Sequence, residues 1–353
     1  MSIHKNQRLL GMSKRKLIIL SLVAAIIIAA GVYALHVLYK PVVSIKNADK
    51  EYLYIPTGAT FDEVCQLLEL KGWLTDEVAF ATMAEFMKYK DKVKAGRYEI
   101  TDGMTARELV RRLRGGQQAP VNVTFNNIRL LPQLAGVVSH DIEADSAELL
   151  AAMTDEDAIA ELGFNKYTIP AMFIPNTYQF MWNTSGEKWM SRMNTEYKKF
   201  WNEERLHKAD SIGFTPIEVS IVASIVEEET NLKDEYPIVA GLYLNRLRKG
   251  MKLQACPTIK YTIGDFTVRR VIDAYTRIDS PYNTYMYKGL PPGPIRIPSI
   301  VCIDAVLNAT NHDYLFMCAK TDGPGNTFAR TYAEHSRNAK KYQEYLNKRN
   351  IYR

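Results

Sequence analysis

The sequence has few cysteines and no pattern among them. Cys65, Cys256, Cys302 and Cys318 lie far apart and form no CxxC pair, which argues against a zinc site or a dithiol redox motif. Buried free thiols are the expectation. A disulfide would suit a location outside the cytoplasm, but the spacing singles out no pair. Low-complexity tracts and fixed-period repeats are missing as well, so neither a disordered chain nor a solenoid is indicated. There is no glycine-rich phosphate loop, no nucleophile elbow and no cluster of metal-ligating residues, and therefore no cofactor or metal is implied. A basic surface is also absent once the net charge of +6 is located: Lys5, Arg8, Lys14, Arg15 and Lys16 supply five of it in a segment without acids. The rest of the chain is close to neutral, which disfavours nucleic acid as a partner.

What the chain does have is one long apolar run. With 353 residues, 47% apolar and 24% charged, it has room for two globular domains beyond an anchor. Leu17 to Tyr39 is interrupted only by Ser21, Gly31 and His36. As a helix it would reach about 34 Å, enough for a hydrocarbon core of about 30 Å. The basic residues before it place the N-terminus in the cytoplasm by the positive-inside rule, and everything after Lys40 outside. A cleaved signal peptide is the competing reading, but its apolar core would be shorter. The expected organisation is a cytoplasmic tail at 1–16, a single transmembrane helix at 17–39 in the cytoplasmic (inner) membrane, a small domain at 40–118 and a larger one at 119–353.

The small domain follows a linker at Pro41 to Lys50. Tyr52 to Pro56 alternates as a strand, and Thr60-Phe61-Asp62-Glu63 is a capping box that starts a helix ending near Gly72. A second helix is expected from Thr75 and a strand at Arg97 to Thr101. Another capping box at Thr105-Ala106-Arg107-Glu108 opens a third helix, stopped by Gly115 and Gly116. Strand, helix, helix, strand in about 50 residues resembles a LysM-like unit, a fold that holds N-acetylglucosamine-containing glycans. An α+β spacer is the alternative.

The segment Thr215 to Thr230 carries the chemistry. Thr215, Pro216 and Glu218 form an N-cap, a first-turn proline and a capping box. On a helical wheel Ile217, Ile221, Val222, Ile225 and Val226 share one apolar face, and Glu229 falls on it. Glu227 points to the opposite side and Glu228 to the margin, so a solvated patch accounts for both. A carboxyl among apolar side chains is held neutral by desolvation, which suits a general acid at neutral pH.

Ala223-Ser224-Ile225-Val226-Glu227-Glu228-Glu229-Thr230 resembles the A-S-I-[IV]-E-x-E-T signature of the YceG-like (MltG) endolytic murein transglycosylases. Phe173-Ile174-Pro175-Asn176-Thr177-Tyr178 and Lys94-Ala95-Gly96-Arg97-Tyr98 resemble further family motifs. So do Asn245-Arg246-Leu247, Met251-Lys252-Leu253-Gln254, Pro257-Thr258, Ser280 to Tyr285 and Gly289 to Ile295. The resemblance implies a mixed α/β catalytic domain after the LysM-like unit and assigns the catalytic acid to Glu229. It also implies cleavage of the MurNAc-GlcNAc bond with a 1,6-anhydro-MurNAc end, terminating nascent strands. Peptidoglycan glycan strands would be the substrate, and peptidoglycan synthases are candidate partners. Gln254, Thr258, Tyr282, Asn283, Thr284, Tyr285, Asn176 and Tyr178 are the expected substrate-binding residues. Glu228, Asn176 and Cys256 depart from the family's usual residues, leaving no evident second carboxylate. His335 has no visible partner and is read as structural. The alternative from another class is a non-catalytic peptidoglycan-binding anchor for wall-synthesis proteins, which would not need Glu229.

Overall fold

A computed structural model describes residues 14–46, 48–268 and 271–349. The basic residues Lys5 and Arg8 of the expected cytoplasmic tail lie outside this range. The chain divides into two compact units, one running to Val121 and including Met181–Asn183, the other formed by Asn122–Phe180 and Thr184–Arg353.

The first unit opens with α1 (Lys14–Tyr39), a helix long and apolar enough to cross a membrane. Its apolar side chains from Leu17 to Leu35 are exposed and Val37 is buried. Next come β1 (Lys50–Ile55), α2 (Phe61–Leu70), α3 (Glu77–Phe86), β2 (Gly96–Thr101) and α4 (Ala106–Gly115). Both expected capping boxes form: the Thr60 and Thr105 hydroxyls accept from the backbone N–H of Glu63 and Glu108, whose carboxylates accept in return from the cap N–H. Each cap satisfies donors that would otherwise be orphaned at the helix start. The expected start of α3 at Thr75 moves to an Asp76 N-cap, whose side chain accepts from Ala79 N–H.

β1 and β2 pair antiparallel from Lys50 against Thr101 to Ile55 against Gly96. At that last position φ is 143°, and a Cβ would run into Gln118; Tyr98 closes the same turn by donating to the Lys94 carbonyl at 2.9 Å. The Lys94–Tyr98 motif is thus accounted for by backbone geometry.

The expected linker at Pro41 to Lys50 is corrected. Val42, Val43 and Ile45 are core residues together with Leu53, Phe80, Tyr98 and Leu109. Pro41 and Val43 make bridges to Thr105 and Leu74, and Asp102 accepts from Ile45 N–H at 2.7 Å. Alternation over Val42-Val43-Ser44-Ile45 is too short to reveal this from sequence, because the pairing partners lie far along the chain.

The second unit is mainly helical. β3 (Val121–Phe125) pairs with β4 (Asn176–Phe180), and between them in sequence lie α5 (Leu131–Ser139), α6 (Ser146–Thr154) and α7 (Glu156–Glu161). α8 (Gly186–Phe200), α9 (Glu203–Ser211), α10 (Pro216–Glu229), α11 (Tyr236–Arg248), α12 (Cys256–Ile263) and α13 (Ile300–Leu307) follow. A ribbon of β5 (Phe316–Ala319) and β6 (Asn326–Ala329) precedes α14 (Tyr332–Lys348). The expected mixture of helix and strand is present, with helices dominant and the strands confined to two-stranded ribbons among the described residues.

α10 is its central element, packed by α9, α11, α12 and α13. Every residue from Val219 to Val226 is buried, so the one-faced wheel is corrected to a helix covered all round. Small residues on its second side allow this. Cys302 of α13 donates to the Ala223 carbonyl at 3.2 Å, and the Ser224 hydroxyl accepts from Ile295 N–H at 3.1 Å. Of the four thiols only Cys302 is buried; Cys256 is exposed.

Val42 provides a test of the corrected linker. Val42→Ala should destabilise the full chain by about 2 kcal/mol in urea unfolding, whereas a residue in a solvated linker would give no measurable change.

Candidate active site

Three consecutive carboxylates end α10, where the helix dipole disfavours negative charge. The structure treats them differently. Glu228 retains 13% of its side-chain exposure and takes Arg129 on both oxygens, Nε on Oε1 and Nη2 on Oε2 at 3.0 Å each. Arg296 adds Nη1 to Oε1 at 2.7 Å. Glu227 keeps 12% and lies 3.6 Å from Arg296, with Oε2 accepting from Ser299 N–H at 2.8 Å. Both are largely buried, ion-paired groups, which corrects the expectation of a solvated patch. Two buried acids with an almost fully buried arginine between them satisfy each other's charge and hold the C-terminal turn of α10.

Glu229 has no such partner among the described residues. It is partly buried, and its Oε1 accepts from the Tyr243 hydroxyl at 2.7 Å. Desolvation pushes its pKa up to about 7; the Tyr243 hydrogen bond and the more distant Lys260 and Arg246 charges oppose this without cancelling it. Burial, followed by the facing carboxyl, holds the Tyr243 hydroxyl far above the usual phenol range, so it remains a donor. The outcome is a carboxyl group poised between its two protonation states near neutral pH.

Tyr243 and Arg246 sit three residues apart on α11 and so share a face. Arg246 is buried, and its Nε donates to the Leu315 carbonyl at 2.6 Å while Nη1 donates to the Leu253 carbonyl at 2.7 Å. It also lies over the Phe316 ring at 5.2 Å. It thereby fixes the 251–254 loop that leads into α12. Gln254 in that loop has a left-handed backbone (φ 50°), uncommon for a side chain of its kind. Its N–H donates to the Thr284 carbonyl at 3.1 Å, and its exposed side chain lies 3.5 Å from Arg246 Nη1. Cys256 Sγ and the Tyr285 hydroxyl are 3.2 Å apart, and both feel the Glu229 charge.

The expected binding residues separate on burial. Gln254 is exposed and Tyr285 partly so. Thr258 and Thr284 are buried with their hydroxyls 2.9 Å apart, Thr258 donating to the Ala255 carbonyl and Thr284 accepting from Ala255 N–H. Asn283 is buried; its amide donates to the Thr276 and Ile278 carbonyls and accepts from Tyr285 N–H. Tyr282 is packed against Tyr261. These four shape the loop from inside.

Asn176 and Tyr178 lie on β4. Asn176 is exposed, with Oδ1 accepting from Thr177 N–H. Tyr178 is buried against Phe125 and donates to the Ile174 carbonyl at 2.6 Å. His335 stacks on Phe316. The threonine that follows Glu229 is structural: the Thr230 hydroxyl donates to Glu235 at 3.0 Å, and Glu235 accepts from the Asn326 backbone and side chain. Among the described residues, no group of His, Cys, Asp or Glu side chains is gathered closely enough to hold a metal ion.

Sequence reasoning missed Tyr243, Arg246 as an organiser, and Lys260. A tyrosine and an arginine at helical spacing just before the 251–254 loop were the available signal.

The arrangement defines a helical domain with one partly buried carboxyl, bonded to a tyrosine and without a cationic partner among the described residues, at the end of its central helix. A crystal structure of a YceG-like protein from Listeria monocytogenes shares the fold, with a TM-score of 0.53 over 82% of this chain and 98% of that one at 24% identity. The YceG-like family model matches residues 53–341, and the chain belongs to that family. Proteins named endolytic murein transglycosylase from Bacillus subtilis and Streptococcus pneumoniae are 29% and 27% identical to it. The alignments cover 82% of this chain and 83% of the Bacillus protein, and 89% of this chain and 62% of the Streptococcus protein.

Tyr243→Phe removes the hydrogen bond that lowers the Glu229 pKa. Glu229 should then titrate above about 7, visible as a shifted carboxyl resonance in ¹³C-glutamate-labelled protein. An unchanged titration would mean that the hydroxyl does not act on the carboxyl.

Proposed function

We propose that this protein is an endolytic peptidoglycan lytic transglycosylase with Glu229 as its acid and base. The observation that carries the proposal is the Glu229 carboxyl at the end of α10, which has no cationic partner among the described residues, accepts from the Tyr243 hydroxyl at 2.7 Å, and has its pKa raised by burial to about 7. Family membership and the two named relatives support the reaction class.

Ordinary glycosidases use two carboxylates. A transglycosylase can act with one, because the C6 hydroxyl of the same N-acetylmuramic acid is held beside the anomeric carbon. Glu229 gives its proton to the glycosidic oxygen as the C1–O bond breaks, and the GlcNAc 4-hydroxyl leaves. As carboxylate it then takes the C6 hydroxyl proton while O6 bonds to C1. No water is consumed, Glu229 ends protonated again, and the strand ends in 1,6-anhydro-MurNAc. The exposed Gln254 and partly exposed Tyr285 beside the cluster are the side chains we assign to the sugar. Thr258, Thr284, Asn283 and Tyr282 act through the shape of the loop, and Asn176 and Tyr178 belong to the β4 side of the domain. The β-α-α-β order and the antiparallel β1–β2 pairing support a LysM-like, glycan-holding role for the first unit. The apolar α1 supports a single-pass location with the catalytic unit outside the cytoplasmic membrane, beside peptidoglycan synthases.

Full-length protein in detergent, incubated with purified peptidoglycan, should release fragments whose ends are lighter by one water than hydrolysed ends, as read by mass spectrometry. Glu229→Gln should lower turnover by about 10²-fold or more with folding retained, and Glu227→Gln should lose far less. Reducing ends would make the enzyme a hydrolase. Binding without cleavage would favour the non-catalytic anchor.

Because cleavage begins from protonated Glu229, its rate should fall as pH rises through about 7. In Tyr243→Phe this alkaline limb should move to higher pH. A limb that stays in place would place the titrating group elsewhere.

A further inference from the structure

α3 does not stand clear of the apolar helix that precedes it. At its start, Asp76 pairs with His36 of α1 at 2.9 Å. At its middle, the Thr82 hydroxyl meets the Tyr33 hydroxyl at 3.2 Å. Contact therefore moves backward along α1, toward the apolar run, as α3 moves forward. Six residues of α3 advance about 9 Å while three residues of α1 descend about 4.5 Å. Side chains on a helix lean toward its N-terminus, so Tyr33 reaches lower still.

A hydrocarbon core of about 30 Å takes about 20 helical residues. Counted from Leu17, it reaches the neighbourhood of His36, whose ion pair with Asp76 suits the polar headgroup layer. Thr82 then lies below that level, and the end of α3 lower again. α3 carries Val78 in its first turn and Phe86 as its last residue, 66% and 80% exposed, in one stripe with Thr82 at i, i+4, i+8 spacing. Neither has a place in the core of the unit. Glu85 shares the last turn but is paired with Lys90 at 2.8 Å. Of the exposed lysines that follow, Lys90 is held by Glu85 and Lys94 donates to the Gly115 carbonyl at 3.5 Å, which leaves Lys88 and Lys92 to cover apolar surface with their stems and meet anionic lipid with their ammonium groups.

We propose that α3 is a second membrane contact: its Val78–Thr82–Phe86 stripe dips into the outer leaflet, and the lysines after it lie in the headgroup layer. The small unit thus rests on the lipid surface beside its anchor. This placement depends on α1 crossing the bilayer and is independent of the chemistry at Glu229.

The test uses full-length protein in phosphatidylcholine–phosphatidylglycerol vesicles, with and without bromine on the acyl chains. Phe86→Trp and Glu77→Trp place a fluorophore at either end of α3, both at exposed positions, and the emission of the parent's four tryptophans is subtracted. Quenching by brominated lipid should be at least twofold greater for Phe86→Trp than for Glu77→Trp, with bluer emission. Equal or weaker quenching at position 86 in protein that floats with carbonate-washed vesicles would overturn the placement while leaving the anchor intact. Protein that does not float would overturn both.

Discussion

The constraint on which the second unit depends is the cost of putting three acids at the largely buried end of one helix. Desolvation and the helix dipole both disfavour charge there. Two of the acids are relieved by Arg129 and Arg296, which arrive from distant parts of the chain. The third is relieved by a pKa that burial raises to about 7. The arginines that hold Glu227 and Glu228 also hold the turn that presents Glu229. The fixed turn and the raised Glu229 pKa therefore come from one arrangement, in which cations are supplied to two carboxylates and withheld from the next.

Around it, the family-like motifs divide by what their side chains touch. Ser224 and Thr230 tie α10 to the Ile295 backbone and, through Glu235, to β6. Asn245 donates to the His312 carbonyl at 2.6 Å, Arg246 closes the 251–254 loop, and Asn283 closes the loop that contains it. Gly293 lies so close to the Tyr167 carbonyl that a Cβ would collide with it. A motif quoted as a string gives no hint of this division, since a residue that binds sugar and one that binds a neighbouring carbonyl look the same in sequence.

What was legible in the sequence was local. The capping boxes at Thr60, Thr105 and Thr215 form because cap and partner are three residues apart, whereas the wheel that put Glu229 alone on an apolar face does not describe a helix buried all round, and what separates Glu229 from its neighbours is the lack of a cationic partner. The burial of Glu227 and Glu228 was not legible. Their cations are 68 to 99 residues away, and a wheel assumes that one side of a helix faces water. The same limit made Pro41 to Lys50 read as a linker and left Tyr243 unnoticed, since α11 bears on α10 only through tertiary packing. The expected mixture of helix and strand is present, but its sheet content was not legible: short apolar runs such as Phe316–Ala319 form strands that each find one partner, with no wider sheet among the described residues.

The burial of Val37 and Val42 bears on how the protein can be isolated. A soluble fragment that starts at Pro41, the position the hydropathy profile would recommend, discards Val37 and His36 and with them a wall of the small unit and the partner of Asp76. Such a fragment would carry an open apolar cleft and an unpaired acid, and its aggregation or low yield would say nothing about the native enzyme. The natural cut lies inside the apolar run, before Tyr33, with the remaining exposed positions made polar.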